Sequence, residues 1–362
     1  MVRWIRKIVR TFLLTATAVA VILGTTVAFA ALVLNPRVGI TEGLEESILR
    51  DANIPEVAEP ITLRVLTFNI AVAYLFTTNR EERTEAIAAK IAALDPDLVG
   101  LQEAWTADER EQLYARLAST SRLRYHQYYP SGTVGSGLLI LSAFPIEEVS
   151  FYRYRHSNPW WRIWEGDWWA GKGIALARVR LPNGVLLDFY NTHAQATREN
   201  PENVKARTKQ MAELVDYLHR SHIHTAPAFV VGDFNGHPNG EDIQTAVRGV
   251  PLIRLMTLPT ELDHIFAIAD EHYEYEVMET IAVQERIHVH GADIFLDRAP
   301  TPREIWQMWT TKESITTLSD HDGYLSVIRI VPKPHPQSPK DITARYGAEP
   351  APYVAIPEGR DS

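Results

Sequence analysis

The chain has 362 residues, 46% hydrophobic and 22% charged, with 45 acidic against 36 basic side chains and a formal net charge of −9. That composition is globular and excludes a disordered or fibrous chain, while the length fits either two domains or one large α/β domain with tails. No cysteine is present, which excludes disulfides, thiolate zinc sites, iron–sulfur clusters and a thiol nucleophile.

Arg3, Arg6, Lys7 and Arg10 open the chain, and the remainder without them carries −13. An acidic body weighs against loose binding to nucleic-acid phosphates, which need basic surface. Thr11 to Leu34 follows with 24 residues and no charged side chain. At about 1.5 Å per residue, such a helix crosses a roughly 30 Å hydrocarbon core. The basic residues ahead of it predict a single-pass anchor with the N-terminus cytoplasmic and the body outside. Ala28-Phe29-Ala30 offers the alternative, a signal segment cleaved near Ala30 and a secreted product. Residues 1–35 therefore read as anchor or signal segment and 36–60 as a linker. Residues 61–331 read as the body, and 332–362 as a tail with seven prolines.

Within the body, Ile61 to Ile70 reads as a strand. Asn79 followed by Glu82 has the spacing of a capping box, and the helix behind it carries Ile87, Ile91 and Leu94 until Asp95-Pro96 stops it. Leu98 to Leu101 and Gly137 to Leu141 read as short strands. Gly173 to Val179 and Val185 to Asn191 are strands joined by the turn Pro182-Asn183-Gly184. Asn200-Pro201 opens a helix with Met211, Leu214, Val215 and Leu218 on its apolar face. Ala228 to Val231, Leu262 to Ala267 and Tyr324 to Val331 are further strands. Mixed strands and helices of this kind suggest two packed sheets with helices outside them.

Polar residues collect at the strand ends. Asn69 ends Leu66-Thr67-Phe68-Asn69, Glu103 follows Leu101-Gln102, and His193 ends Asn191-Thr192-His193. Asp233 and Asn235 stand in Gly232-Asp233-Phe234-Asn235, Asp263 in Leu262-Asp263-His264-Ile265-Phe266, and Asp320-His321 after Ser319. Loops just beyond strand ends are held rigid by the sheet and commonly carry function. Carboxylate and amide oxygens are the hard ligands that Mg²⁺ prefers, and two histidines supply a proton acceptor and a donor. Each residue alone is as readily a turn or structural residue; together and in this order they form a coherent set.

These motifs resemble, in their order, those of the endonuclease/exonuclease/phosphatase superfamily, over roughly residues 61–330. The resemblance implies a four-layer α/β sandwich, two mixed sheets flanked by helices, and a phosphoesterase dependent on Mg²⁺ or Mn²⁺. It implies Glu103 as the main metal ligand with Asn69 close by, and Asp320 serving the metal or the nucleophile. Asp233 and Asn235 would position the attacking water or the phosphate. His321 would be the general base, its ring held by Asp263. His193 would stabilise the phosphate or protonate the leaving oxygen. His264 stands where the superfamily often has Tyr, and reads as a substitution on the opposite face of its strand.

A narrower resemblance is to neutral sphingomyelinases. Gly166-Asp167-Trp168-Trp169-Ala170-Gly171-Lys172-Gly173 is similar to a segment in which an Asp and a Lys five positions apart bear on activity and substrate choice, as Asp167 and Lys172 would here. The alternative is a plain turn entering a strand, as Gly132 to Gly137 also reads. Trp160, Trp161, Trp164, Trp168 and Trp169 crowd beside this segment. They suit either a lipid-facing surface or a satellite apolar cluster. The leading expectation is a phospholipid-headgroup phosphodiesterase acting at a membrane surface. The alternatives are a nuclease on the same fold, for which Arg153, Arg155, Arg162, Arg178 and Arg180 could supply basic surface, and a non-catalytic membrane-bound binding module. Nothing in the sequence points to a protein partner.

Overall fold

The computed structural model describes residues 2–34, 59–73, 79–132, 134–157, 166–196, 200–290, 306, 310 and 313–333. The elements in chain order are α1 (Val2–Leu34), β1 (Ile61–Val72), α2 (Arg80–Leu94), β2 (Leu98–Ala104), α3 (Ala107–Thr120), β3 (Tyr125–Tyr128) and β4 (Leu139–Ser142). They continue with β5 (Ile146–Arg153), α4 (Gly166–Trp169), β6 (Gly173–Arg180), β7 (Leu186–His193), α5 (Pro201–Ser221), β8 (Ala228–Asp233) and α6 (Glu241–Gly249). The last are β9 (Leu252–Arg254), β10 (Asp263–Ile268), β11 (Tyr273–Val283), β12 (Arg286–His290), β13 (Glu313–Thr317) and β14 (Gly323–Pro332). Within α1, Val9–Val27 is long and apolar enough to cross a membrane by length and composition.

One six-stranded sheet runs β11-β14-β1-β2-β4-β3, a second runs β5-β6-β7-β8-β10-β9, and β12-β13 form a small ribbon. Both large sheets are mixed: β1 is parallel to β2 and β7 to β8, the remaining neighbours being antiparallel. Side chains alternate across each strand, so each sheet presents two apolar faces. Val65, Leu98 and Ile140 of the first sheet meet Ala177, Phe189, Val231 and Ile265 of the second in the central core. The outer face of the first sheet packs Leu66, Phe68 and Leu101 on Ile87 and Ile91 of α2 and Leu113 and Leu117 of α3. The outer face of the second packs Ile174, Tyr190 and Val230 on Met211, Leu214 and Leu218 of α5 and Ile243 of α6. Four layers result, as the resemblance implied.

Some local expectations hold and one fails. The Asn200 side chain accepts from the Glu202 amide at 3.0 Å with Pro201 in the first helical turn. Asp95 closes α2 in the left-handed conformation. The capping box at Asn79 does not form: Asn79 is itself left-handed (φ 51°) and makes no side-chain cap bond. Glu82 turns away to the backbone amide and Nδ1 of His290, at 2.9 and 2.6 Å. Its carboxylate serves to tie the β12–β13 ribbon to α2 instead.

The two sheets approach closely at Gly100. A Cβ there would lie 2.5 Å from Val231 Cγ2 and 3.1 Å from Asn191 Cγ. Beside it the amide of Gln102 donates to Asn191 Oδ1 at 2.7 Å, and Asn191 donates back to the carbonyls of Leu101 and Leu139 at 2.9 and 3.2 Å. Gly100→Ala should therefore overpack the seam and cost about 1–3 kcal/mol. Thermal melting checks this, since each kcal/mol lowers Tm by about 2–4 °C in a domain of this size. An unchanged Tm would show that the sheets can part without cost.

Candidate active site

The topology brings the six motifs to one rim. Parallel pairing puts the C-terminal ends of β1 and β2 together, with Asn69 opposite Gln102, and those of β7 and β8, with His193 opposite Asp233. Antiparallel β10 begins there, Asp263 opposite Asp233. Antiparallel β14 also begins there, just after Asp320-His321, with Tyr324 opposite Thr67. The backbone is strained at this rim: Ala71, Glu103 and Asn235 all take positive φ, at 47°, 57° and 52°, a conformation costly for residues with a Cβ.

Side chains and main chain lock these ends. Buried Arg83, reaching from α2, donates to the carbonyls of Ile70, Ala71 and Leu318, tying the end of β1 to the Ser319-Asp320-His321 loop. Ser319 Oγ donates to the Asn69 carbonyl at 2.6 Å. Arg110 of α3 donates to the carbonyls of Ala104 and Trp105 at 2.8 and 2.7 Å, bracing the chain after Glu103.

At the centre, Asn69 donates through its amide nitrogen to Glu103 Oε1 at 3.2 Å and to Asp233 Oδ2 at 3.0 Å. Its oxygen accepts from the Ala71 amide at 3.1 Å, so nitrogen rather than oxygen faces the two carboxylates. Asp233 Oδ1 accepts from the Asn235 amide at 2.8 Å, and Asn235 Nδ2 donates to the Ala194 carbonyl at 3.2 Å. His321 Nδ1 lies 2.8 Å from Asp263 Oδ2, and Nε2 lies 3.8 Å from Asp233 Oδ2. Donor atoms of Asp233, Asp263 and His321 fall within 4.8 Å of one another. Asp320 is exposed and accepts from Ser319 Oγ at 3.2 Å.

Asp167 and Lys172 form an ion pair at 2.7 Å. The Lys172 ammonium also donates to the Ala194 carbonyl at 2.9 Å and stands 2.8 Å from His193 Nε2. Since an ammonium only donates, it assigns the lone pair of His193 to Nε2 and the ring proton to Nδ1. The pair is thus built into the site through His193 and is not a plain turn. Asp167 Oδ2 accepts from Gln195 Nε2 and the Ala196 amide, both at 2.7 Å. Gln210 and Arg207 of α5 hold the Gln195 backbone, and Arg207 is paired with Asp242 of α6 at 2.7 Å. Sequence reading assigned no role to Gln195, Arg207, Gln210 or Asp242. The glycine turn also takes part: Gly132 bridges Ala170, and the Gly171 amide donates to Gly135 at 2.9 Å. Trp160, Trp161 and Trp164 lie outside the described residues, as does the side chain of Trp168.

The electrostatics follow from crowding carboxylates in a half-closed space. Burial, then the Asp320 charge, raise the Glu103 pKa against the opposing pull of Lys172. Burial and Asp233 raise Asp263. Burial opposes charging of His321, but Asp233, the bond to Asp263 and Asp320 outweigh it and bring the ring to about 10. Burial, then Lys172 and His321, hold His193 well below its usual value, so it stays neutral. The donor set is one of hard oxygens with excess negative charge, and Asp263 Oδ1 is buried without a hydrogen-bond partner. Such a set fits a divalent cation of the Mg²⁺ class.

The endonuclease/exonuclease/phosphatase family model matches residues 66–321, from the middle of β1 to His321 itself. The chain belongs to this family. Among similar members, the inositol phosphosphingolipids phospholipase C of Schizosaccharomyces pombe is 30% identical over 206 residues, covering 56% of this chain and 48% of the relative. Human sphingomyelin phosphodiesterase 2 is 29% identical over 182 residues, covering 49% of this chain and 42% of the relative. The matches thus span about half the length of these curated relatives. A Staphylococcus aureus beta toxin solved with bound magnesium ions shares the fold. Its TM-score is 0.55 at 15% identity, over 74% of this chain and 99% of that one.

Proposed function

We propose that this family member is a divalent-metal-dependent phosphodiesterase that cleaves the headgroup phosphate of a sphingolipid or related phospholipid. The observation that carries the reading is the convergence of Glu103, Asp233, Asp263, His193 and His321 on one rim, with the Asp167–Lys172 pair hydrogen-bonded into it. Relatives named for sphingomyelin and inositol phosphosphingolipid cleavage support the substrate class.

Glu103, flanked by Asp320 and oriented by Asn69, would hold Mg²⁺ or Mn²⁺, which when bound neutralises phosphate charge and acidifies a nearby water. The chain's own groups do the rest. Asp263 accepts from Nδ1 of His321 and leaves Nε2 to take the proton from the attacking water. Asp233 and Asn235, joined by the 2.8 Å turn bond, orient that water and the phosphate. His193, neutral with its proton on Nδ1, has none to give at Nε2. Its role is to hold the buried Lys172 ammonium, whose three donors go to Asp167, the Ala194 carbonyl and His193 and whose charge acts on Glu103 across the rim. No side chain becomes covalently modified.

The nuclease alternative is weakened by its own discriminator. Arg178 is fully buried against Glu148 and Asp188, and Arg180 pairs with Glu147 at 2.9 Å. Neither contributes to a basic face for a polyanion; Arg153 is half-buried, Arg155 is exposed, and Arg162 lies outside the described residues. The apolar stretch of α1 and the basic residues in its first turns support attachment to a membrane, with the catalytic domain outside and residues 61–331 as its extent. Hydrolysis should be assayed with Mg²⁺ on sphingomyelin, inositol phosphosphingolipid, glycerophospholipids, a phosphoinositide, and single- and double-stranded DNA. Release of phosphocholine or phosphoinositol from sphingolipid in preference to DNA cleavage is the expected result. Preferential cleavage of DNA would replace the lipid reading with the nuclease one.

A further inference from the structure

His264 does more than fill the outer face of its strand. Its ring is fully buried, with centroids of Phe234 and Phe266 each 5.5 Å away. It links two hydrogen bonds: Nδ1 lies 3.1 Å from Thr260 Oγ1 and Nε2 lies 2.9 Å from the Gly236 carbonyl. Thr260 Oγ1 in turn lies 3.3 Å from Arg254 Nη2. The direction of every bond in this chain is forced. Arginine can only donate, so its N–H points at the Thr260 oxygen. A carbonyl can only accept, so His264 carries its proton on Nε2. Nδ1 then holds a lone pair, and the Thr260 hydroxyl must donate to it. Arg254, Thr260, His264 and Gly236 thus form one relay in which each group donates to the next, an arrangement in which bonds polarise and strengthen one another.

The relay ends where the site needs stiffness. Gly236 follows Asn235, whose φ of 52° lies in the sparsely populated left-handed region, which asparagine tolerates better than most residues but which competes with the ordinary right-handed one unless the turn is held. The near side of this turn is fixed by the bond from the Asn235 amide to Asp233 Oδ1. The far side is fixed by the Gly236 carbonyl on His264. We propose that His264 is the positioning residue of the Gly232-Asp233-Phe234-Asn235 loop, holding Asn235 and Asp233 in their reactive geometry from beneath through the Arg254–Thr260 relay. This deepens the phosphodiesterase reading and rests on it for its kinetic arm only. A ring with two nitrogens can both accept from Thr260 and donate to Gly236. That gives a physical reason for histidine at a position where the family resemblance implies tyrosine. Without the donor, the buried Gly236 carbonyl loses its partner. The peptide between Asn235 and Gly236 can then turn over, letting Asn235 leave its left-handed φ and drawing its side-chain amide off the Ala194 carbonyl.

The test compares His264→Phe, which keeps a ring between Phe234 and Phe266 but removes both bonds, with His264→Gln, which keeps an amide donor for Gly236. On bis(p-nitrophenyl) phosphate with Mg²⁺, a diester without a lipid headgroup, His264→Phe should lose about 10- to 100-fold in kcat with KM nearly unchanged, the scale of a misplacement of about 1 Å. His264→Gln should recover most of it. Hydrogen–deuterium exchange of the full chain supplies a second readout that needs no substrate. The Phe234 and Asn235 amides should lose protection in His264→Phe and keep it in His264→Gln. Equal kcat and equal protection in wild type and His264→Phe would overturn the proposal. So would equal losses in both variants, since the donor would then not be what matters. A wild-type protein that hydrolyses no diester would count against the proposed function alone, and the exchange result would still decide the role of His264.

Discussion

Replacing His321 with alanine is expected to lower kcat by about 10²- to 10⁴-fold, the range for loss of a positioned general base, with little change in KM. The argument begins from what the ring touches. Nδ1 is held by Asp263 at 2.8 Å, so the free nitrogen is Nε2, which faces Asp233 Oδ2 at 3.8 Å. Neighbouring carboxylates raise the ring to a pKa of about 10. When that carboxylate charge is offset, the ring's pKa falls back from this value, and the neutral ring can then take a proton at Nε2. Alanine also strands Asp263, whose buried carboxylate loses its partner, so a fall in activity could be confused with a fall in stability. His321→Asn separates the two. Its amide nitrogen occupies about the position of Nδ1 and can still serve Asp263, yet no titratable nitrogen remains. Both variants should be equally inactive in initial-rate assays, while only the alanine variant should show a lowered Tm. Activity retained in the asparagine variant would move the base elsewhere, and Asp233 would be the next candidate.

The difference between what sequence shows and what only structure shows is visible in these same residues. Strands β1, β2, β7 and β8 are almost wholly buried along their C-terminal halves, so short apolar stretches mark them in the sequence, and the polar residue that follows each stretch stands out. Asn69, Glu103, His193 and Asp233 were legible for that reason. Elements with little burial gave no such signal. In α3 only Leu113 and Leu117 are buried, among charged residues. The edge strand β11 interleaves exposed Glu274, Glu276 and Glu279 with half-buried positions, and so reads as polar chain. At Asn79 the local pattern was present but misleading. Glu82 has a longer-range partner in His290, 208 residues away, and local spacing cannot anticipate such a competitor.

The side chains that support the site were hidden for the same reason. Arg83 reaches Leu318 across 235 residues, and Arg207 reaches Asp242 across 35. On a helix each looks like an ordinary solvated cation, and only the packing of α2 and α5 on the sheets buries them. Lys172 and His193 could be singled out separately, but their 2.8 Å contact depends on the pairing of β6 with β7. That contact changes the chemistry, because it removes the proton from the very nitrogen of His193 that faces the site. The sequence identified the groups; the hydrogen-bond directions assigned their protons.

Glu103→Gln should abolish the response to metal while making the metal-free protein more stable. Glutamine keeps the shape and can still bond Asn69 through its oxygen, but it carries no charge. With Glu103 as the proposed principal anionic ligand, its loss should cost at least the 10- to 100-fold in metal affinity typical of supporting residues, so at a Mg²⁺ level that saturates the wild type, activity should fall by about 10³-fold or more. The stability effect has the opposite sign. Burial and Asp320 raise the pKa of Glu103 above its ordinary 4.5, so the folded chain holds this proton more tightly than the unfolded chain does. Without metal, stability therefore falls as pH rises from about 4.5 through the folded-state pKa, and at neutral pH the ionised carboxylate opposes folding. In EDTA near pH 7, Glu103→Gln should then melt above wild type, and its Tm should fall less between pH 5 and pH 7. Adding Mg²⁺ should raise the Tm of wild type and leave that of the variant where it was. A variant that melts below wild type in EDTA would mean that Asn69 and Lys172 already compensate the charge. A variant that still gains Tm with Mg²⁺ would place the ion on Asp233, Asp263 and His321. With both outcomes as expected, metal occupancy would be coupled to the stability of the rim through Glu103, the residue where β2 turns left-handed.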